Sequence, residues 1–240
     1  MQCAEEKSVN KLKVSEIFFS LQGEGTRIGE PAVFARLSVC NLNCLFCDSS
    51  YAFKAEEGLG QLDIANASRR IKMLFKKHFV EDASKLLVVT GGEPLLQQKQ
   101  LIDLFQRLTD IQHLEIEIET NGTIEPIDQL YNWIDDFVIS PKLNNSGMSP
   151  KQRRLKFYNT KGIPSIYKFV AESIDDLSEI DEFCKTYKIN QNADIVIMPE
   201  GIESTVLEER LKELAPEVLK RGWRLLPRLH VMIWGAERGR

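Results

Sequence analysis

Phe34-Ala35-Arg36-Leu37-Ser38-Val39-Cys40-Asn41-Leu42-Asn43-Cys44-Leu45-Phe46-Cys47 is the stretch on which the reading of this chain turns. From Ala32 to Val39 the residues are apolar except for Arg36 and Ser38, as expected of a strand covered on both faces. The chain then passes directly into a loop whose three cysteines are separated by three and then two residues, with Asn41 and Asn43 permitting tight turns. Thiols at the C-terminal end of a buried strand lie where parallel α/β architectures keep their ligands. Thiolates are soft ligands, suited to iron–sulfur clusters and to zinc. Three are one short of a closed structural zinc site, whereas a cubane cluster held by three cysteines keeps one iron open to a small molecule. Zinc stays open as an alternative here, because Cys3, Cys184 or one of the three histidines is available as a fourth ligand. Arg36 is out of place in an apolar strand and calls for an acceptor.

Reading outward, Met1 to Lys13 is a polar tail, and Val14 to Phe19 alternates weakly before the polar turn Leu21-Gln22-Gly23-Glu24-Gly25. After the cysteines, Tyr51 to Gly60 reads as a loop containing Glu56-Glu57-Gly58, and Ile64, Ile71, Leu74 and Phe75 mark a helix. Lys85 to Thr90 is an apolar strand ending at Gly91-Gly92-Glu93-Pro94, followed by a helix on Leu101, Leu104, Phe105 and Leu108. The same grammar recurs at Leu114 to Glu119 with Asn121-Gly122, and at Phe137 to Ser140 with Pro141-Lys142. Ile166 to Ala171 then leads to a helix over Leu177 to Tyr187, with Cys184 on its apolar face beside Ile180. Ala193 to Met198 leads through Pro199-Glu200-Gly201 to a helix near Thr205, with Thr205 and Glu208 as a capping box and Pro216 as a break or a new first turn. Trp223 to Leu226 reads as a last strand, and Asn144 to Gly162 as irregular. Such alternation calls for an α/β fold with a parallel sheet and right-handed crossovers. About six units fall short of the eight that close a barrel, so the expectation is an open parallel sheet, a partial (β/α)6-type barrel, in one domain over residues 1–240.

The 240 residues, 43% hydrophobic and 28% charged, are ordinary for a globular chain able to bury one sizeable core. A net charge of −4 offers no general attraction to nucleic acid or to an anionic membrane, and favours a small-molecule substrate. Five cysteines in a chain of this size argue against a secreted disulfide framework and for reduced thiols. With no membrane-spanning run and no apolar signal core at its start, the chain is expected in the cytoplasm.

Cys-x3-Cys-x2-Cys with Phe46 before the last cysteine resembles the signature of the radical S-adenosylmethionine enzymes. The flanks Leu21 to Gly25, Phe34 to Leu37 and Cys47-Asp48-Ser49 are similar to those of the 7-carboxy-7-deazaguanine synthases, and so, in order, are Thr90 to Pro94, Glu119 to Gly122, Ser140 to Lys142 and the region of Leu229-His230. The resemblance covers nearly the whole chain. It implies a [4Fe-4S] cluster on Cys40, Cys44 and Cys47. It implies S-adenosylmethionine along Phe46, Asp48, Gly92, Glu93, Ser140, Pro141, Lys142 and the turn Met198-Pro199-Glu200-Gly201. The implied substrate is 6-carboxy-5,6,7,8-tetrahydropterin, met by Leu21, Gln22, Gly23, Glu24, Arg36 and Thr90, with Mg2+ on Ser49. Arg36 supplies the cation that a substrate carboxylate needs. His230 sits where the family closes its pocket, and a core histidine is the alternative. The family further implies a flavodoxin- or ferredoxin-like electron donor and a homodimer. Two rivals share parts of this pattern. One is a glycyl-radical activating enzyme, disfavoured by the Leu21 to Gly25 turn, and the other is a non-catalytic metal- or cluster-binding module.

Overall fold

Strand structure begins earlier than the polar start of the chain suggests. The computed structural model describes residues 11–53, 58–158, 160–189, 194–235 and 237–239. Strand β1 runs Lys11–Leu21, because Leu12 and Val14 are buried between outward lysines, and it pairs antiparallel with β2, Pro31–Leu37. Lys11 to Lys13, expected as the end of a tail, are therefore the start of the sheet. The expected loop from Tyr51 also holds structure: Ser50–Phe53 is a 3-10 turn, and Gly60 opens β3, Gly60–Asp63, which pairs antiparallel with β1. Residues 1–10 with Cys3, the loop pair Glu56 and Glu57, and Ala193 lie outside the described residues.

From β2 onward every pairing is parallel. The strands are β4 Lys85–Gly91, β5 Leu114–Thr120, β6 Asp136–Ile139, β7 Ser165–Ala171, β8 Asp194–Pro199 and β9 Arg224–Leu225. Their order is β3-β1-β2-β4-β5-β6-β7-β8-β9, an open sheet as expected. The helices are α1 Ile64–His78, α2 Gln98–Gln106, α3 Ile174–Tyr187, α4 Ser204–Lys220 and α5 Leu229–Trp234. The strand–helix grammar is less regular than the sequence implied. The β5–β6 link holds a 3-10 helix, Asp128–Trp133, that buries Leu130 alone, and the β6–β7 link is irregular apart from the 3-10 turn Asn144–Ser146.

Local chemistry sets the helix ends. Asp63 caps α1 by accepting from the Ala65 N–H at 2.8 Å, and Lys76, Lys77 and His78 in its last turn face the negative end of the helix dipole. At α3 the Asp176 carboxylate accepts from the Ser173 N–H at 3.1 Å. The capping box expected at Thr205 and Glu208 is absent from α4, whose N-cap is Glu203 with no side-chain bond. Nor does Pro216 break α4. Its ring and missing N–H fall on the exposed side, while Leu214 and Val218 on either side of it are buried and hold the helix to the sheet.

Strand parity divides the sheet into two faces. Val33, Ala35 and Leu37 of β2, Leu87 and Val89 of β4, Ile116 and Ile118 of β5 and Phe169 of β7 pack under the helices, the side chains other than Ala35 each worth roughly 1.5–3 kcal/mol when fully buried. On the inner face, Ala32, Phe34, Leu86 and Val88 form one small apolar cluster, and Val138, Ile166, Val196 and Met198 another. Arg36, Thr90, Glu117, Glu119 and Lys168 share that inner parity. An interior that is apolar in part and ionisable in part is the setting of the site.

Candidate active site

The C-terminal ends of the strands open into a cavity, and the cysteine loop forms one wall of it. Val39, between β2 and Cys40, has a φ of 76°, a left-handed conformation that is unfavourable for a β-branched residue. Its neighbours hold it there. The Val39 carbonyl accepts from the Glu93 N–H at 2.9 Å, and Gly92 lies so close that a Cβ on it would stand 2.0 Å from that oxygen. Glycine at 92 thus lets β4 support the turn that throws the cysteines into the cavity. Further along the loop, the Leu42 N–H points at Cys40 Sγ at 3.4 Å, Asn121 Nδ2 donates to Asn41 Oδ1 at 3.0 Å, and the Leu45 N–H donates to the Ser146 carbonyl at 3.0 Å. Burial pushes the Cys40 thiol up to about 11 and raises Cys44 and Cys47 as well, so these sulfurs keep their protons until a cation displaces them.

The opposite wall is an ionic network. Lys168 Nζ lies 2.6 Å from Glu24 Oε2 and 3.6 Å from Glu119 Oε2, and Arg228 Nε lies 2.9 Å from Glu24 Oε1. The Arg228 guanidinium also pairs with Asp48 and donates to the Gly201 carbonyl at 2.8 Å. Burial by itself would raise Glu24, but Lys168, Arg228 and His230 outweigh it and hold that carboxyl well below the usual range. Asp48 is likewise lowered, burial being overcome by Arg228. Lys168 and Arg228 are themselves raised, their burial outweighed by these carboxylates. His230 is lowered, chiefly by burial, and its ring sits so close to Gly23 that a Cβ there would lie 2.1 Å from Nδ1. The Leu229 N–H donates to the Gly23 carbonyl at 2.9 Å, so α5 is fastened to the turn after β1.

Of the residues singled out in the sequence, Leu21, Gln22, Gly23, Glu24, Arg36, Cys40, Cys44, Phe46, Cys47, Asp48, Ser49, Thr90, Gly92, Ser140, Lys142, Met198, Glu200 and His230 line this cavity. Glu93, Pro141, Pro199 and Gly201 are not on its wall. Glu93 is fully buried and accepts from the Leu95 N–H, the Asn121 N–H and the Thr120 hydroxyl, so it anchors the glycine turn instead of offering charge. Gln22 and Glu24 face the cavity with their side chains already engaged: Gln22 Nε2 donates to Glu117 at 2.6 Å and to Glu119 at 3.2 Å. The acceptor that Arg36 calls for is Glu16, 2.8 Å from Nε, which also receives the Tyr51 hydroxyl at 2.8 Å. Ser49 is buried, with Oγ 3.8 Å from Cys47 Sγ. Lys142 Nζ donates to Ser140 Oγ at 2.8 Å, and Thr90 Oγ1 to Glu119 Oε2 at 2.9 Å.

Lys168, Arg228, Glu119, Tyr51 and Arg238 also line the cavity and were not assigned roles from sequence. Lys168 carries the signal that drew attention to Arg36, a cation inside an apolar strand. Arg238 arrives with the end of the chain, its guanidinium 3.6 Å from the centre of the Tyr51 ring.

The donor set fits a cluster. Cys40, Cys44 and Cys47 share one cavity wall, and Ser49, Arg36 and Lys142 share that cavity. Cys184 is buried in the outer core beneath α3, so it does not complete a zinc site with them. Among the described residues, no three His, Cys, Asp or Glu side chains are placed to hold a single metal ion.

The Radical SAM superfamily profile matches residues 36–141. The 7-carboxy-7-deazaguanine synthase of Pyrobaculum aerophilum is 33% identical over 231 residues, covering 96% of this chain and 98% of that protein. The synthase of Rhodopirellula baltica is also 33% identical, over 97% of this chain and 90% of its own. In fold, the crystal structure of QueE from Escherichia coli superposes with a TM-score of 0.68 at 23% identity, covering 92% of this chain and 95% of that one.

Proposed function

The chain belongs to the 7-carboxy-7-deazaguanine synthase family, and from that membership we infer that its cavity converts 6-carboxy-5,6,7,8-tetrahydropterin to 7-carboxy-7-deazaguanine. The reaction abstracts hydrogen at C6, contracts the ring and releases ammonia, and it feeds queuosine and deazapurine biosynthesis. The chain is a radical S-adenosylmethionine enzyme that uses a [4Fe-4S] cluster and S-adenosylmethionine. The observation that supports the reading most directly is the meeting of three thiols with Arg36, Ser49 and the Lys168–Glu119 pair around one cavity. The glycyl-radical activating and non-catalytic readings are set aside by family membership.

When bound, the cluster supplies the electron that cleaves S-adenosylmethionine to methionine and a 5′-deoxyadenosyl radical. This chain's residues supply position and shielding. Cys40, Cys44 and Cys47 hold the cluster. Gly92, Ser140, Lys142, Met198 and Glu200, with Phe46 and Asp48, border the S-adenosylmethionine. Arg36, with Nε fixed by Glu16, turns its guanidinium to the substrate carboxylate. Glu119 presents an acceptor to the N–H edge of the pterin, steadied by Thr90, Gln22 and Lys168. Ser49 presents a hydroxyl to Mg2+, a hard cation whose shell the substrate carboxylate would complete.

The electron donor in this reading is flavodoxin- or ferredoxin-like, the enzyme is a homodimer in the cytoplasm, and residues 1–240 act as one domain. Among the described residues no helix is long and apolar enough to cross a membrane.

One experiment tests the proposal. Protein reconstituted anaerobically with iron and sulfide is given S-adenosylmethionine, a reductant and the carboxypterin, with and without Mg2+. The expected products are 7-carboxy-7-deazaguanine, ammonia and 5′-deoxyadenosine, with Mg2+ raising turnover in the wild type and much less in Ser49→Ala. Formation of 5′-deoxyadenosine without pterin conversion would refute the substrate, and undiminished Mg2+ activation of Ser49→Ala would remove Ser49 as the ligand.

A further inference from the structure

Below Glu119, and off the cavity wall, lies a second carboxyl group that the reaction as described does not use. Glu117 is 1% exposed on the inner face of β5. Among the described residues the one hydrogen bond its carboxyl receives comes from Gln22 Nε2, at 2.6 Å. The same amide nitrogen gives its other hydrogen to Glu119 Oε1 at 3.2 Å, and Gln22 Oε1 accepts from the Glu24 N–H at 3.2 Å. Gln22, only 2% exposed, is thus a clamp between two carboxyl groups.

The charges around the pair are unevenly shared. Lys168, from β7, is committed to Glu24 at 2.6 Å and Glu119 at 3.6 Å. Arg27, from the loop after β1, is engaged by Glu30 at 2.7 Å, Glu115 at 2.8 Å and, more distantly, Asp136 of β6 at 3.6 Å. On the neighbouring strands the residues in register with Glu117 are the apolar Val88 of β4 and, on β6, Asp136, a second carboxyl group on the same face. Glu119 receives Thr90 Oγ1 and Gln22 Nε2 and has Lys168 nearby. Glu117 has one donor, no cation of its own and a like group two residues away. Burial, then Glu119, push it up to about 8, with Gln22, Lys168 and Arg27 pulling the other way.

We propose that Glu117 is a positioning residue: a neutral carboxylic acid that locks the Gln22 amide, and through it the cavity-facing carboxylate of Glu119, in the arrangement that receives the pterin ring. The proposal rests on the reading that the Gln22–Glu119 wall holds the substrate. With Glu117 neutral, one amide bridges an acid and a carboxylate. Once Glu117 ionises, two like charges compete for that amide in a dry interior, and Glu119 is driven off Thr90 and Lys168. Glutamine at 117 keeps the acceptor and cannot ionise.

The test uses the cluster-loaded protein with S-adenosylmethionine bound. Carboxypterin affinity is measured by anaerobic calorimetry across the pH range, and the infrared carbonyl band of a protonated carboxyl is followed by difference between wild type and Glu117→Gln. The wild type is expected to lose affinity above about pH 8, approaching tenfold per pH unit. Glu117→Gln should hold its affinity across that range, Glu117→Ala should be weak at every pH, and the carbonyl band should be present at pH 7 and absent from Glu117→Gln. An alkaline loss in Glu117→Gln equal to the wild type's, or no such band at pH 7, overturns the proposal. A wild type that shows the band but does not bind carboxypterin at pH 7 instead overturns the substrate reading, and the positioning role with it.

Discussion

Gly92→Ala isolates the role of the glycine turn in placing the cysteines. An added Cβ would stand 2.0 Å from the Val39 carbonyl oxygen, 2.4 Å from its carbon and 3.0 Å from the Cys40 nitrogen. Non-bonded contact begins near 3.4–3.5 Å, so one backbone segment must retreat by about 1.4 Å or more. If Val39 retreats, its 2.9 Å bond from the Glu93 N–H breaks; if residue 92 retreats, its own 2.9 Å bond to the Leu37 carbonyl does. Either way a backbone group in the interior loses its partner, at about 1–3 kcal/mol. Crowding adds about 1–3 kcal/mol more. The sum, about 2–6 kcal/mol, lies within the stability of a domain, about 5–15 kcal/mol, so the chain still folds. At ~2–4 °C per kcal/mol, the apo protein should melt at least about 4 °C lower than the wild type. Because Cys40 adjoins the displaced residue, iron content and visible absorbance after anaerobic reconstitution should fall to about half or less. Gly222→Ala is the control. Its φ of 69° makes alanine costly by about 1–2 kcal/mol, but nothing lies within 4 Å of the new Cβ, and iron loading should match the wild type. Gly92→Ala with full iron and a melting point within about 2 °C of the wild type would refute the argument.

Cys40→Ala, Cys44→Ala or Cys47→Ala should each abolish the cluster and S-adenosylmethionine cleavage. Cys184→Ala should keep full iron and cost only about 0.5–2 kcal/mol on thermal melting, since that thiol is core; iron loss in Cys184→Ala would contradict the assignment. Arg36→Lys should weaken carboxypterin binding about 10- to 100-fold by losing the guanidinium fork, with S-adenosylmethionine affinity retained, and equal losses of both would mark a fold defect. Glu24, whose folded pKa lies well below 4.5, contributes stability that is present above pH 4.5 and lost as pH falls through its depressed value. Melting curves of wild type and Glu24→Gln should therefore converge below pH 4.5 and separate above it; a constant gap would deny the linkage.

Much of the sheet was legible because the parallel strands are apolar runs closed by turn residues, as at Lys85–Gly91. What escaped did so for physical reasons. Leu12 belongs to β1, but charges on both sides hide a one-face alternation at the sheet's edge. Pro216 is a helix breaker in the abstract, yet its helix survives because the proline falls on the exposed face while Leu214 and Val218 are gripped by the core. The missing helices between β5 and β7 follow from local packing too: the 3-10 helix Asp128–Trp133 buries a single residue, too little to stabilise a longer element.

The cysteines were legible because their chemistry is local, and the ionic wall was only half so. A charge inside an apolar strand, on the parity that faces the ligand, is a signal available from sequence: it drew attention to Arg36, and the same rule applied to Tyr167-Lys168-Phe169 and Ile116-Glu117-Ile118 would have found Lys168 and Glu117. The partners follow no such rule. Arg228 meets Glu24 across 204 positions and Asp48 across 180, and only the folding of α5 onto the Gly23 turn brings them together. A buried ion pair is a poor source of net stability, since desolvation offsets most of its attraction, but removing one partner leaves a bare charge at about 3–5 kcal/mol. The Arg228–Glu24–Lys168–Glu119 series therefore acts as a constraint on position. Displacing any one member uncovers the charge of the next, so the turn after β1, the inner face of β5 and the last helix are held to a single geometry around the space where the pterin must sit.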